Sequence, residues 1–551
     1  MHGRYPVGEA KSGTQLKSAR SPATAAARRQ SLRYSARAAR PVPVQSAFAC
    51  ICRARPRVWH HRPMNVSAQS TQPLYRQLAG QYRRSIETGV LRAGDRMPSM
   101  RAFMRQHDVS LATATESYRV LEREALIEAR PREGYFVRAI ASTLPGAREP
   151  EPDWRETQTE AQFVGIHANI SALVARWQQV PDALNLGGVT AADALFPGEA
   201  LQKIAVRTLR HRPDLLTSPG HERGDPRLRA VIARRALAAG FTVHPDEIVM
   251  THGGTEAVNL ALRAVTQPGD TVAVESPCFY GLLQVLESLG LRALEIPASP
   301  TTGLSVEALD FALRQHADVK ALVVVPHLQN PLGCVMPDAH KQRIVELCAQ
   351  AGVAVIEDDP YRELVESDTP PRALKSWDTQ GGVIHCTSFN KTLAPGMRVG
   401  WMAGGRWHSR IAMLKFAQSR LNEPLSQAVL AEFLQSQAHE RHLRRLRERL
   451  ALQRARMAQG ISASFPAGTR FTPPAGGMAF WIELPPGAGS MAVFEAALAE
   501  GIRIMPGTVF SNSGRFERFI RVSCPGPDPQ SADAALARIG AIAHRLAAQE
   551  C

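Results

Sequence analysis

Five continuous runs of β-branched and small apolar residues constrain this chain most: Ile248–Thr251, Thr271–Glu275, Ala321–Pro326, Val353–Asp358 and Val383–Phe389. Each is as short as a strand, and each is largely apolar rather than alternating apolar with polar. A strand that is apolar on both faces must be covered on both faces. Helix-length segments lie between several of the runs. The pattern therefore predicts an α/β domain built on a mostly parallel sheet. Beyond about residue 415 the texture changes. A long charged helix near Glu440–Arg456 is followed by shorter strands at Phe480–Leu484, Ile502–Met505 and Phe519–Ser523, which predicts a smaller α+β lobe.

The chain of 551 residues is long enough for more than one domain. Four stretches are expected: a basic tail over 1–66, a compact module over 71–139, a linker over 140–182 and the α/β domain over 183–545. The linker opens on Pro145-Gly146 and Glu149-Pro150-Glu151-Pro152, with a helix expected near 160–178. The formal charge of +16 is concentrated in the tail, where residues 1–63 carry thirteen Lys/Arg against one Glu. The high charge thus says little about the folded domains. The tail, expected to be disordered, reads as a transit peptide, a DNA-binding arm, or sequence upstream of a true start at Met64. The last is preferred, because ordered patterning begins just after Met64. No run of about 18 apolar residues predicts a membrane span. The eight cysteines are scattered, which predicts neither a disulfide framework nor a metal site, and a cytoplasmic setting is expected.

Residues 72–138 read as three helices and a wing. Leu74, Leu78, Tyr82 and Ile86 give the first helix its apolar stripe, ending at Gly89. Pro98-Ser99 starts the second, with Ser99 as N-cap, and Val109-Ser110 caps the third. Short strands at Ile127–Arg130 and Tyr135–Val137 then flank the turn Arg132-Glu133-Gly134. The ordered set Gly94, Pro98-Ser99, Arg101, Val109-Ser110, Thr113, Leu121 and Gly134-Tyr135-Phe136-Val137 resembles the GntR-type winged helix-turn-helix. That resemblance implies that the Ser110–Arg119 helix enters a major groove of operator DNA. Ser99, Arg101, Ser110, Thr113, Arg130, Arg132 and Gly134 are the expected DNA-contacting residues. Many relatives carry Arg where this chain has Leu111, which points to a different operator.

In the α/β domain five motifs follow strands. Thr251-His252-Gly253-Gly254-Thr255-Glu256 opens a helix whose amides suit a phosphate. Phe279 could stack on a flat ring. Asn330, in Asn330-Pro331-Leu332-Gly333, could donate to a phenolate oxygen. Asp358 ends a strand and suits a protonated pyridine nitrogen, and Tyr361 follows three residues later. Ser388-Phe389-Asn390-Lys391 through Arg398-Val399-Gly400 puts a lysine between an apolar strand and a Pro-Gly turn.

Together these resemble the fold-type-I, aminotransferase-like enzymes that use pyridoxal 5'-phosphate. The resemblance implies Lys391 as the Schiff-base lysine and Asp358 as partner of the pyridine nitrogen. It implies Asn330 and Tyr361 at the 3'-oxygen and Phe279 on the ring. Gly254, Thr255, Ser388 and Arg398 would cradle the phosphate, and Arg521, in Phe519-Ile520-Arg521-Val522-Ser523, would hold a substrate α-carboxylate. Relatives often carry Ser in place of Asn390. They also carry a Tyr before the Gly224-x-x-x-Leu228-Arg229 motif, where this chain reads Ser218-Pro219-Gly220-His221. The fusion of the two halves resembles the MocR subgroup of GntR regulators. It implies a homodimeric, DNA-binding transcriptional regulator that senses an amino compound or the cofactor itself. A working aminotransferase with an attached DNA-binding module is the alternative, and a DNA-binding protein with a vestigial lobe is the third reading.

Overall fold

The structure is a computed structural model that describes residues 73–87, 90–91, 94–124, 126–130, 133–138, 161–367, 371–524 and 529–549. The basic tail, Gly89, Arg132 and linker residues 140–160 lie outside the described residues.

The module has the expected elements: helices Leu74–Glu87, Met100–His107 and Leu111–Arg123, then antiparallel strands Ile127–Arg130 and Gly134–Val137. Leu78, Phe103, Tyr118, Leu121, Ile127 and Val137 close its core. Tyr118 packs edge-on to Phe103 at 5.0 Å and to Tyr135 at 4.9 Å, and its hydroxyl donates to the Pro98 carbonyl. That bond ties the third helix to the start of the second.

The large sheet runs in the order Gln162–Phe163, Arg292–Ser299, Thr271–Ser276, Val319–Val324, Ala354–Asp358, Val383–Ser388, Gly400–Ala403, Ile248–Thr251, with Gly303–Leu304 paired on the side. The five strands from Arg292–Ser299 to Val383–Ser388 are mutually parallel. The Gly400–Ala403 strand is antiparallel to both of its neighbours. Residues such as Val272, Val274, Leu322, Val323 and Ile356 are buried, as strands covered on both faces must be.

Among strands of four residues or more, two escape the sequence reading. Arg292–Ser299 contains Glu295 and Pro297, which interrupt an apolar run. Gly400–Ala403 is only four residues long. In the smaller lobe, the single strand expected over Ile502–Met505 is two pieces. Ile502–Arg503 pairs with Leu184–Asn185, while Met505–Pro506 joins the four-stranded sheet beside Phe519–Ser523. The long helix is longer than expected, Gln437–Ser464. The second half of the expected linker is structured: Gln162–Phe163 adds to the sheet edge, and Ile170 and Leu173 of helix His167–Gln178 join the main core. Among the described residues, no helix is long and apolar enough to cross a membrane.

Candidate functional site

The carboxyl ends of the parallel strands converge with the Gly253-Gly254 turn. A Cβ on Gly253, whose φ is +92°, would stand 3.0 Å from Asn390 Nδ2 and 3.1 Å from Arg398 Nη2. Only glycine leaves those donors clear. A Cβ on Gly254 would lie 3.8 Å from both Asp358 Oδ1 and Ser388 Oγ. Arg398 Nη2 donates to the His252 carbonyl at 3.2 Å, and Arg398 itself sits at φ +53°. The helix Gly254–Val265 begins here with free amides, so amide donors, a hydroxyl and a guanidinium face one small space. Thr255 is on the same first turn and is exposed.

Alternation along the Ala354–Asp358 strand sorts its acidic end. Glu357 turns away and accepts from His385 Nδ1 at 2.9 Å and from the amides of Leu374 and Lys375. Asp359 accepts from His327 Nδ1 at 2.7 Å, and His327 Nε2 faces Lys341 Nζ at 2.9 Å. Asp359 is held at about 2 against the cost of burial by His327 and Arg362. Asp358 has no such partner. Burial, and then the Asp359 charge, push its carboxyl up to about 7. No cation is hydrogen-bonded to it among the described residues, and a pyridinium would supply one.

Lys391 lies across the crevice. Desolvation, then the Arg521 charge, pull its amine down to about 8. Roughly a tenth of it is neutral at pH 7, against well under a thousandth for an ordinary lysine. Its Nζ donates to the Val189 carbonyl at 2.5 Å and to Thr190 Oγ1 at 3.3 Å, and lies 5.7 Å from the Tyr361 ring centre. Arg521 is 1% exposed and donates from Nη1 to Asn330 Oδ1 at 2.9 Å and from Nη2 to the Gly187 carbonyl. An arginine only donates, so the Asn330 amide nitrogen faces the other way, free to donate. Arg521 Nε and Asn390 Oδ1 are buried without a partner. Phe279 packs against Tyr280 at 4.8 Å, and Tyr280 in turn interacts with Arg521 and Tyr361.

The structure thus gathers Gly254, Asn330, Asp358, Tyr361, Ser388, Lys391, Arg398 and Arg521 around one crevice. Phe279 borders it through Tyr280. Sequence reasoning missed Val189 and Thr190, which touch Lys391 from about two hundred residues away in the chain. The Gly187-Gly188 pair beside them was the available signal.

The family model for aminotransferase class I and II matches residues 198–539, and that for the gntR family of bacterial regulatory proteins matches residues 74–137. The chain is 36% identical over 477 residues to an uncharacterized HTH-type transcriptional regulator, YjiR, of Escherichia coli, covering 86% of this chain and 99% of that protein. The chain belongs to the MocR-type GntR regulators. Among solved structures, Pyrococcus horikoshii kynurenine aminotransferase, in complex with PMP, is 26% identical with a TM-score of 0.64, covering 71% of this chain and 96% of that one. LysN, an α-aminoadipate aminotransferase of Thermus thermophilus complexed with N-(5'-phosphopyridoxyl)-L-leucine, is 27% identical with a TM-score of 0.63, covering 68% and 95%. The cofactor of this MocR-type chain is pyridoxal 5'-phosphate. The residues present fit it: a glycine-lined phosphate cradle, a buried acid without a cation and a desolvated lysine face one another.

In the winged module of this MocR-type chain, the small hydroxyls cap helices. Ser99 Oγ accepts from the Ala102 amide at 3.2 Å. Ser110 Oγ accepts from the Thr113 amide at 3.2 Å and lies 3.0 Å from Thr113 Oγ1. Arg101 is exposed, and Leu111 is 58% exposed at the tip of the third helix. Arg130 donates to Glu128 at 2.9 Å and stacks over Phe136 at 4.5 Å, which fixes its direction. Gly134, at φ +108°, lets the exposed Arg96 side chain pass within 3.6 Å of its Cβ position. Arg96 was not among the expected contacts, although it stands between Asp95 and Met97 in the motif. Replacing Ser110 with alanine is expected to destabilise the module by about 1 kcal/mol through the lost cap. Urea denaturation followed by far-UV circular dichroism measures it.

Proposed function

We propose that the winged module binds operator DNA while the pyridoxal phosphate lobe reads an amino compound, or the cofactor itself, and alters that binding. The single observation that supports the reading most is the coexistence, in one chain, of a folded winged module and an apposed Lys391, Asp358 and Arg398. A catalytic lobe alone has no use for the module.

When bound, the cofactor supplies a carbonyl that condenses with primary amines and a ring that accepts electrons. The chain's own residues do the rest. Ser388, Arg398 and the amides after Gly253 bind the phosphate. Asp358 would pair with the ring nitrogen and favour its protonated form. Asn330 donates its amide hydrogen to the 3'-oxygen. Lys391, partly neutral at pH 7, would supply the amine that holds the cofactor and would hold or move a proton at Nζ. Arg521, deeply buried with one nitrogen unpartnered, binds a carboxylate on the incoming amine. An incoming amine bound in the crevice would change the contacts of Lys391 Nζ with Val189 and Thr190. That would bias the two lobes between arrangements and so the spacing of two winged modules in a homodimer.

The lowered amine of Lys391 also suits transamination, so turnover is compatible with regulation. An electrophoretic shift assay on the DNA upstream of the protein's own coding region tests the regulator reading. Specific retardation that changes with pyridoxal phosphate is expected. No specific retardation at moderate salt, with or without cofactor, would refute it.

A further inference from the structure

The helix Gln437–Ser464 has two unlike sides. Leu443, Leu446, Leu450, Met457 and Ile461 face the core. On the outer side Arg441, Arg444, Arg445 and Arg449 are exposed and Arg447 is half-buried, with Glu448 the only acid between 441 and 449. None of these arginines forms an ion pair among the described residues. Several other arginines on the same domain surface are paired: Arg176 with Glu495 at 2.7 Å, Arg227 with Asp225 at 2.9 Å and Arg314 with Asp310 at 2.7 Å. Like charges four residues apart on a helix repel. A face that concentrates five arginines against one acid is suited to a polyanion.

Arg441, Arg445 and Arg449 recur every four residues, about 6 Å apart along the helix axis. Each strand of duplex DNA presents a phosphate every ~3.4 Å of the helix axis, so one strand crossing this face can meet all three. The third helix of the winged module, Leu111–Arg123, approaches the Gln437–Ser464 helix, while Leu111 and Arg119 stay exposed. A membrane surface suits this face less well. The apolar side of the helix is spent on the core and cannot enter a bilayer.

We propose that this arginine face is a second DNA-contacting surface, which grips backbone phosphates flanking the base pairs read by the winged module. It rests on the DNA-binding reading above and extends it to the cofactor-bearing lobe. The contacts are to phosphate alone, so they add affinity and salt dependence without sequence preference.

The test uses the full chain loaded with pyridoxal phosphate and a triple variant, Arg441→Gln, Arg445→Gln and Arg449→Gln. Fluorescence anisotropy follows binding to a short duplex the length of the winged module's site and to a longer one with flanks, over a range of salt. On the long duplex the triple variant should flatten the slope of log affinity against log salt by about 2.7, and on the short duplex leave it unchanged. Arg445→Gln alone should flatten it by about 0.9, which keeps the test alive if the triple variant misfolds. Unaltered thermal unfolding and cofactor absorbance would show that the fold is intact. Wild-type binding with an unchanged slope in both variants overturns the arginine face alone. No binding by the wild type to either duplex removes the DNA-binding reading and this proposal with it. Loss of binding to phosphatidylglycerol vesicles, with DNA binding intact, overturns it in favour of a membrane.

Discussion

Lys391→Ala will abolish covalent attachment of the cofactor. Borohydride treatment of the wild type will fix pyridoxal phosphate to one peptide, the one that spans Lys391, and peptide mass mapping will find no modified peptide in the variant. The effect is all-or-none because no other lysine among the described residues is placed comparably. Among the described residues, Lys415 is the other lysine with a lowered amine, and it is tied to Glu256 at 3.1 Å and to Ser419 at 2.7 Å. Lys341 is held by His327, Asp338 and the Arg372 carbonyl. Lys391 alone combines a pKa near 8 with a position opposite Asp358 and the phosphate cradle. Labelling at another lysine in the variant would show that the crevice is misassigned.

Asp358→Asn will weaken cofactor binding by about a hundredfold or more, the scale set by breaking one buried ion pair. Equilibrium dialysis at neutral pH measures it. The same substitution has an opposite effect on the empty protein. The folded-state pKa of Asp358, about 7, lies above the ordinary 3.8, so the folded chain holds a proton that the unfolded chain has released between those pH values. That proton makes the apo wild type lose stability as pH rises from about 4 to about 7, by on the order of 4 kcal/mol. Asparagine does not titrate. The apo variant should therefore be the more stable protein at pH 8 and show little advantage at pH 4, in denaturant titrations of cofactor-free samples. A variant that binds pyridoxal phosphate like the wild type would place the ring nitrogen elsewhere.

The parts of the site that could be read from the sequence share one property: strand and turn stand next to each other in the chain. Gly253-Gly254, Asp358 and Lys391 each follow an apolar run that fixes where the strand ends, so their place at the carboxyl edge of the sheet follows from local pattern. What the pattern hides is contact between distant segments. Val189 and Thr190 meet Lys391 only because Leu184–Asn185 pairs with Ile502–Arg503, a short parallel ladder without periodicity. The Arg292–Ser299 strand hides behind Glu295, a buried acid. Its cost is offset by donors from Ser276, Ser511 and the Asn512 amide, none of which is near it in sequence. In the winged module Ser99, Ser110 and Thr113 are both good caps and good DNA donors. Sequence cannot divide those roles, and the structure places their oxygens on backbone amides and on each other.

On the proposed function, occupancy of the Lys391 site changes how the chain holds DNA. DNase footprinting on the upstream fragment tests it most directly, with the pyridoxal phosphate-loaded wild type and Lys391→Ala each probed with and without a mixture of the common L-amino acids. Amino acids should alter the extent or affinity of protection by the wild type and leave the variant's footprint unchanged. Identical footprints from both proteins under every condition would contradict it.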